Sequence, residues 1–119
     1  MEYTAKTLNS ARGDYGENKA KQYLLSQGYK IKQSKYKNVI GEIDVIALDG
    51  NILVFIEVKY RNTAKYGLPR EAVNYYKQQK IRKIASLYLT KHNLYEKVPI
   101  RFDVIDILGE KVTHIKNAF

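Results

Sequence analysis

GEIDVIALDGNILVFIEVKY, residues 41–60, holds two strongly apolar runs broken at Asp49-Gly50-Asn51, the composition of a tight hairpin turn between two strands. Ile43, Val45 and Ala47 fall to one face of the first run, Ile46 and Leu48 to the other. Both faces are apolar, so the two strands belong at the centre of a sheet covered on both sides. Three charges interrupt them: Asp44, Glu57 and Lys59. Side chains alternate along a strand, so Glu57 and Lys59 share a face while Val58 takes the other. With Asp49-Gly50 as a two-residue turn, Asp44 stands opposite Phe55, one diagonal step from Glu57. With Gly50-Asn51 as the turn, Asp44 faces Glu57 directly. Either register puts Asp44, Glu57 and Lys59 on one face.

Outward from this hairpin the chain reads as mixed α/β. Upstream, Ala20, Tyr23, Leu24 and Gln27 follow helical spacing over about 14–27, and Gly28 supplies a C-terminal stop. Residues 29–36 alternate weakly and are rich in lysine, as an edge strand is. Downstream, RNTAKYGLPRE, residues 61–71, reads as a loop delivering the chain into a long helix over about 71–92, whose core stripe is Val73, Ile81, Ile84, Ala85 and Tyr88. IRFDVIDIL, from Ile100, is another strand, and KVTHI, after Gly109, a candidate last one. The expected order is α-β-β-β-α-β, a central mixed sheet of four to five strands flanked by helices, with a meander feeding a crossover helix. The 119 residues are expected to form one domain with one core, preceded by a flexible N-terminus over 1–11.

Composition narrows the chemistry. The absence of cysteine excludes disulfides, thiolate metal sites and cysteine nucleophiles together, so any metal sits on oxygen or imidazole. No run has the length of a membrane span or the pattern of a signal peptide, so a cytoplasmic location with no membrane partner is expected. The formal charge of +9 and a pI near 9.6 recur along the whole chain and point to a polyanion partner, which a basic surface attracts by counterion release without regard to sequence. Eleven tyrosines interleave with the lysines, as in NYYKQQK. Their rings suit stacking on unpaired bases, and equally a half-buried place in a small core.

Burying a carboxylate is costly unless a cation or hydrogen bonds offset it. Two carboxylates a few ångströms apart repel, and a hard divalent cation is the simplest cure, which implies Mg²⁺ or Mn²⁺. Lys59, two residues beyond Glu57, is placed to hold or deprotonate an attacking water and to stabilise charge on a phosphate. A Glu57–Lys59 or Asp44–Lys59 ion pair that pins the hairpin is the structural alternative. Glu17, at the border of the first helix's apolar stripe, is a fourth candidate; a Glu17–Lys21 pair at i,i+4 is its plain alternative. Glu42 stands one step farther from the turn, a water-mediated ligand or a solvated charge. Lys77, Gln78, Lys80 and Arg61 are candidate nucleic-acid contacts. His92 and His114 have no partner at metal or triad spacing and are expected at the surface. Asp103 and Asp106 fall on opposite faces of their strand, Asp103 with Arg101 or another basic neighbour.

Glu17 on a first helix, Gly41-Glu42-Ile43-Asp44 and then Glu57-Val58-Lys59 across a hairpin resemble the PD-(D/E)XK superfamily, which includes type II restriction enzymes and archaeal Holliday junction resolvases. AVNYYKQQ, RFDVI and HIKNAF, beginning at Ala72, Arg101 and His114, resemble the YraN family of endonuclease-like proteins, over nearly the whole chain from about Arg12. The resemblance implies a restriction-endonuclease-like fold, with Asp44 and Glu57 as metal ligands and Lys59 assisting water. Glu17 matches the helix-one carboxylate of the resolvases. One departure is visible: Ile43 stands where the superfamily's first motif often has proline. The expected function is a Mg²⁺-dependent DNA endonuclease acting on branched or damaged DNA, with DNA preferred to RNA as partner. The alternatives are a nucleic-acid binding module without turnover and a nuclease subunit of a larger complex, which would need a partner for ATP because no Walker loop is present. Resolvases of this fold work as two-fold dimers, which makes a homodimer a candidate assembly.

Overall fold

The structure is a computed structural model that describes residues 5–61 and 73–119, with side chains from residue 13 onward. The hairpin is present as β2 (Glu42–Asp49) and β3 (Ile52–Arg61), preceded by α1 (Ala5–Ser26) and β1 (Lys30–Lys37), and followed by α2 (Tyr75–Lys91), β4 (Ile100–Leu108) and β5 (Lys111–Ile115). The five strands make one sheet in the order β1-β2-β3-β4-β5. The pairs β1/β2, β2/β3 and β4/β5 are antiparallel, while β3/β4 is parallel because α2 intervenes in the connection. This is the mixed α/β architecture expected, with the candidate last strand in place.

Of the two turn registers, the hairpin takes Gly50-Asn51: Asp49 pairs with Ile52 and Val45 with Ile56. Gly50 takes φ +60°, the conformation that a primed two-residue turn demands and that glycine adopts without a Cβ penalty. Both faces of the hairpin are buried. Val45, Ala47, Val54 and Ile56 pack with Ala20 and Leu24 of α1 and with Ile105 and Ile107 of β4. On the other side Ile46, Leu53 and Phe55 pack with Ile81, Ile84, Ala85, Tyr88 and Leu89 of α2. Full burial of side chains of this size contributes roughly 1.5–3 kcal/mol each, which fixes the register, because a one-residue slip would turn every one of them to the wrong side.

The helix ends differ from expectation in informative ways. α1 stops where glycine predicts: Gly28 takes φ +88°, and the Tyr29 and Gly28 N–H groups donate back to Leu24 and Leu25 carbonyls. It begins at Ala5, earlier than the apolar spacing indicates. α2 begins at Tyr75, because Asn74 caps it by accepting from the Lys77 N–H at 2.9 Å. Its expected start at Glu71, and most of the loop 61–71, lie outside the described residues. Among the described residues, no helix is long and apolar enough to cross a membrane.

Candidate functional site

The β2–β3 ladder ends at Val45 opposite Ile56. One more step of the same register sets Asp44 against Glu57. There the Val58 N–H donates to Asp44 Oδ2 at 2.8 Å, so a side-chain carboxylate sits where the strands part. Burial, and then the negative charge of Glu57, push the Asp44 carboxyl up to about 7, against the pull of the Val58 N–H. Two like charges have been placed together, and the nearby Lys77 charge does not outweigh burial and repulsion at Asp44.

Glu57, only 7% exposed, is met by two ammonium groups. Lys77 Nζ lies 2.6 Å and Lys59 Nζ 3.7 Å from Oε1. Lys59 and Glu57 share the Phe55 face, as alternation requires, and α2 brings Lys77 onto that face from its first turn. Burial, and then the neighbouring Lys77, lower the Lys59 ammonium below the ordinary lysine value. Lys77 is raised: burial pulls it down, but the hydrogen bond and charge of Glu57 outweigh that.

Asp44 also opens into a cleft of about 450 Å³ walled by Asp14, Gly16 and Glu17 of α1, Lys35 and Lys37 of β1, Glu42 of β2, and Val58 and Tyr60 of β3. Gly16 makes this close approach possible, since a Cβ there would stand 2.7 Å from the Tyr60 Cβ. Glu17, 7% exposed, therefore faces the sheet. It also keeps Lys21 at 3.7 Å, so the i,i+4 pair and the cleft position coexist. Glu42 is paired with Lys37 at 3.6 Å on the same wall.

The structure thus brings together Asp44, Glu57, Lys59 and Lys77, with Glu17 across the cleft. Among the described residues, no three His, Asp or Glu side chains are gathered tightly enough to hold a metal by themselves. The facing carboxylates Asp44 and Glu57 still fit a small hard cation, because Mg²⁺ is ordinarily held by one or two carboxylates and completes its shell with water and phosphate oxygens.

The remaining candidates are dispersed. Gln78 turns back to the Val73 carbonyl at 3.1 Å and supports the start of α2. Lys80 is exposed, with its stem over Gly41 at the β1–β2 tip. Arg61 reaches Asp106 at 3.3 Å, and Asp106 stands beside Lys59 in the β3–β4 register.

His114 corrects the sequence reading, which put it at the surface. Its side chain is 4% exposed, with Nε2 2.7 Å from Asp103 Oδ2 and Nδ1 3.1 Å from the Tyr23 hydroxyl. The β4–β5 register, Ile105 opposite His114, carries it inward beside a carboxylate that Arg101 also clasps through Nε and a terminal nitrogen. Despite burial, the hydrogen bonds from His114 and Arg101 hold Asp103 below the ordinary carboxylate value. His92 is exposed as expected, its ring against Tyr88.

Comparison with known proteins places the chain within a family. Residues 16–107 match the model of the uncharacterised protein family UPF0102. The chain is 50% identical over 107 residues to a UPF0102 protein of Thermodesulfovibrio yellowstonii, covering 90% of this chain and 94% of that protein. It is 47% identical over 113 residues to a UPF0102 protein of Clostridioides difficile, covering 93% and 98%. A Clostridium botulinum UPF0102 protein is 43% identical over 125 residues, covering 100% and 98%. The matched segment includes the positions of Glu17, Asp44, Glu57, Lys59 and Lys77; the chain belongs to the UPF0102 family, the YraN-like proteins.

Proposed function

We propose that this chain is a divalent-metal-dependent nuclease of the PD-(D/E)XK type, hydrolysing phosphodiester bonds of DNA, with branched or damaged DNA as the substrate class. The observation that carries the reading is the pair Asp44 and Glu57, set face to face where β2 and β3 part, with Lys59 two residues on and a cleft that opens at Asp44. Carboxylates paired across two strands, with a lysine two residues beyond the second, are the equipment for moving water onto a phosphate.

Asp44 and Glu57 would hold Mg²⁺ or Mn²⁺, which when bound supplies Lewis acidity toward a phosphoryl oxygen and lowers the pKa of water. The chain's own groups account for the rest. Lys59, with its ammonium lowered by burial and by Lys77, is suited to hold a water in line and to exchange a proton with it. Lys77 orients Glu57 through the contact at Oε1, and with Lys59 presents positive charge to a phosphate. The Val58 N–H fixes one oxygen of Asp44, so the acid pair needs little reorganisation.

The ion pairs at Glu57 support a second reading. Lys77 and Lys59 already offset that carboxylate, as they would in a binding module that keeps the basic face without turnover.

Cleavage distinguishes the two. Linear duplex, single-stranded, flapped and four-way-junction DNA are incubated with Mg²⁺ or Mn²⁺, comparing wild type with an Asp44→Ala, Glu57→Ala double variant. Cutting by wild type alone supports the nuclease. Salt-sensitive binding by a correctly folded protein, without cutting on any substrate, favours the binding module or a nuclease subunit that depends on a partner.

A further inference from the structure

The described tyrosines range from buried to strongly exposed. Tyr29, Tyr36 and Tyr88 are buried and serve the core, whereas Tyr75 and Tyr76 are 74% and 77% exposed. Apart from Val39, they are the most exposed large apolar side chains among the described residues. Single exposed aromatics are ordinary, but two in succession beside a site are not. They form the first positions of α2, immediately before Lys77, whose ammonium lies on Glu57 Oε1. Consecutive Cα atoms are about 3.8 Å apart, so the backbone that carries both rings is tied directly to the acid pair. Successive helix positions are turned by about 100°, and the rings fan apart instead of covering each other. Neither packs against another aromatic or a cation among the described residues.

Flat apolar faces presented beside lysines suit an anionic partner with flat faces of its own. The same helix carries Lys77, Lys80 and Lys83, in a chain of net charge +9. Bases in a continuous duplex are already stacked on one another and offer phosphate outward, so a tyrosine face adds nothing to binding them. Unpaired bases expose their faces, and an aromatic ring recovers the stacking whatever the base.

We propose that Tyr75 and Tyr76 form a stacking platform for unpaired bases beside Glu57, which makes DNA with a single-stranded segment at the cut site the preferred substrate over continuous duplex. The inference rests on the nuclease reading above and adds the feature of the substrate that is recognised. Tyr76, the nearer to Lys77 in the chain, takes the base adjoining the phosphate, and Tyr75 the next one outward.

The test is equilibrium binding by fluorescence anisotropy in EDTA, where no cutting occurs. It uses a labelled single-stranded mixed-sequence oligonucleotide and a duplex of the same length, with wild type, Tyr75→Ala/Tyr76→Ala and Tyr75→Phe/Tyr76→Phe. The alanine pair is expected to lose about 30-fold or more on single strands, the equivalent of two lost stacked bases. Duplex binding should change by less than about threefold, with an unaltered salt slope, since phosphate contacts remain. The phenylalanine pair keeps the ring faces and should bind as wild type does. Equal losses on both oligonucleotides, no loss on single strands, or a phenylalanine pair as weak as the alanine pair would overturn the stacking platform alone. A folded wild type that binds neither oligonucleotide would overturn the functional reading and this inference with it.

Discussion

Replacing Asp44 by asparagine should make the metal-free protein more stable at neutral pH, and the effect should vanish in acid. Asp44 has its folded-state carboxyl raised from 3.8 to about 7 by burial and by Glu57. Below the unfolded value the group is protonated in both states and carries no penalty. As pH rises from about 4 to 7 the unfolded chain ionises while the folded chain resists, so stability is lost at up to about 1.4 kcal/mol per pH unit. Roughly three units give an upper bound of about 4 kcal/mol, and part of that belongs to Glu57; an effect of about 2–4 kcal/mol is therefore expected at pH 8. Asparagine removes the charge and retains an oxygen to accept the Val58 N–H. Urea unfolding in EDTA should give Asp44→Asn this advantage at pH 8 and less than about 1 kcal/mol at pH 4. Saturating Mg²⁺ should narrow the gap by stabilising wild type and not the variant. A variant no more stable than wild type at pH 8, or a difference that is flat across pH, would refute the argument that the fold holds Asp44 against Glu57 at a cost.

Lys59→Met should slow cleavage by about 10²-fold or more while DNA affinity changes by less than about threefold, because one lysine among many on a basic surface matters little for binding and a positioned proton carrier matters much for chemistry. Equal losses in single-turnover rate and in anisotropy-measured affinity would make it a phosphate anchor. Gly13 and Gly16 lie in the same helix but should respond oppositely to alanine. Nothing lies within 4 Å of a Cβ at Gly13, so Gly13→Ala should gain about 0.5–1 kcal/mol, whereas the 2.7 Å approach to Tyr60 should cost Gly16→Ala about 1–3 kcal/mol in thermal or urea unfolding. His114→Leu leaves Asp103 and the Tyr23 hydroxyl each short of a buried partner and should destabilise by about 2–4 kcal/mol; a loss below about 0.5 kcal/mol would remove the histidine from the core network.

What was legible in the sequence was whatever has a local period or a local breaker. Alternation gave β2 and β3, and the glycine at position 50 gave the turn. Alternation alone allows both registers; the pairing of Asp49 with Ile52 is the one that faces Asp44 with Glu57. The beginning of α1 was missed because AKTLNSARGD has no apolar stripe, so the helix continues past the part its spacing reveals. The beginning of α2 was marked by Asn74, a capping residue type, and reading it as a cap would have moved the boundary to Tyr75. Lys77 was named as a phosphate contact, but its place on Glu57 depends on how a crossover helix docks, which no spacing encodes. His114 was misread for the same reason: Asp103 is across a hairpin and Tyr23 is on another element.

Two aspartates in this sheet show why burial alone does not mark a functional carboxylate. Asp103 is completely buried, yet it accepts two hydrogen bonds from Arg101, one from His114 and one from the Asn117 N–H, and its carboxyl is held low. Its ionised form is satisfied inside the chain, and its task is to tie β4 to β5 and the C-terminal residues. Asp44 has the Val58 N–H, the charge of Lys77 nearby and a like charge opposite, and burial with that like charge drives its carboxyl up. Strands select against that arrangement, since like charges directly across a ladder are destabilising. Here the ladder ends at that pair, and the cleft opens there. Environments that push two residues of one type in opposite directions assign them different work. His114 and Arg101 hold Asp103 low, whereas the Lys77 charge near Asp44 does not offset burial and Glu57, and this difference is the physical ground for proposing a cation at Asp44 and Glu57.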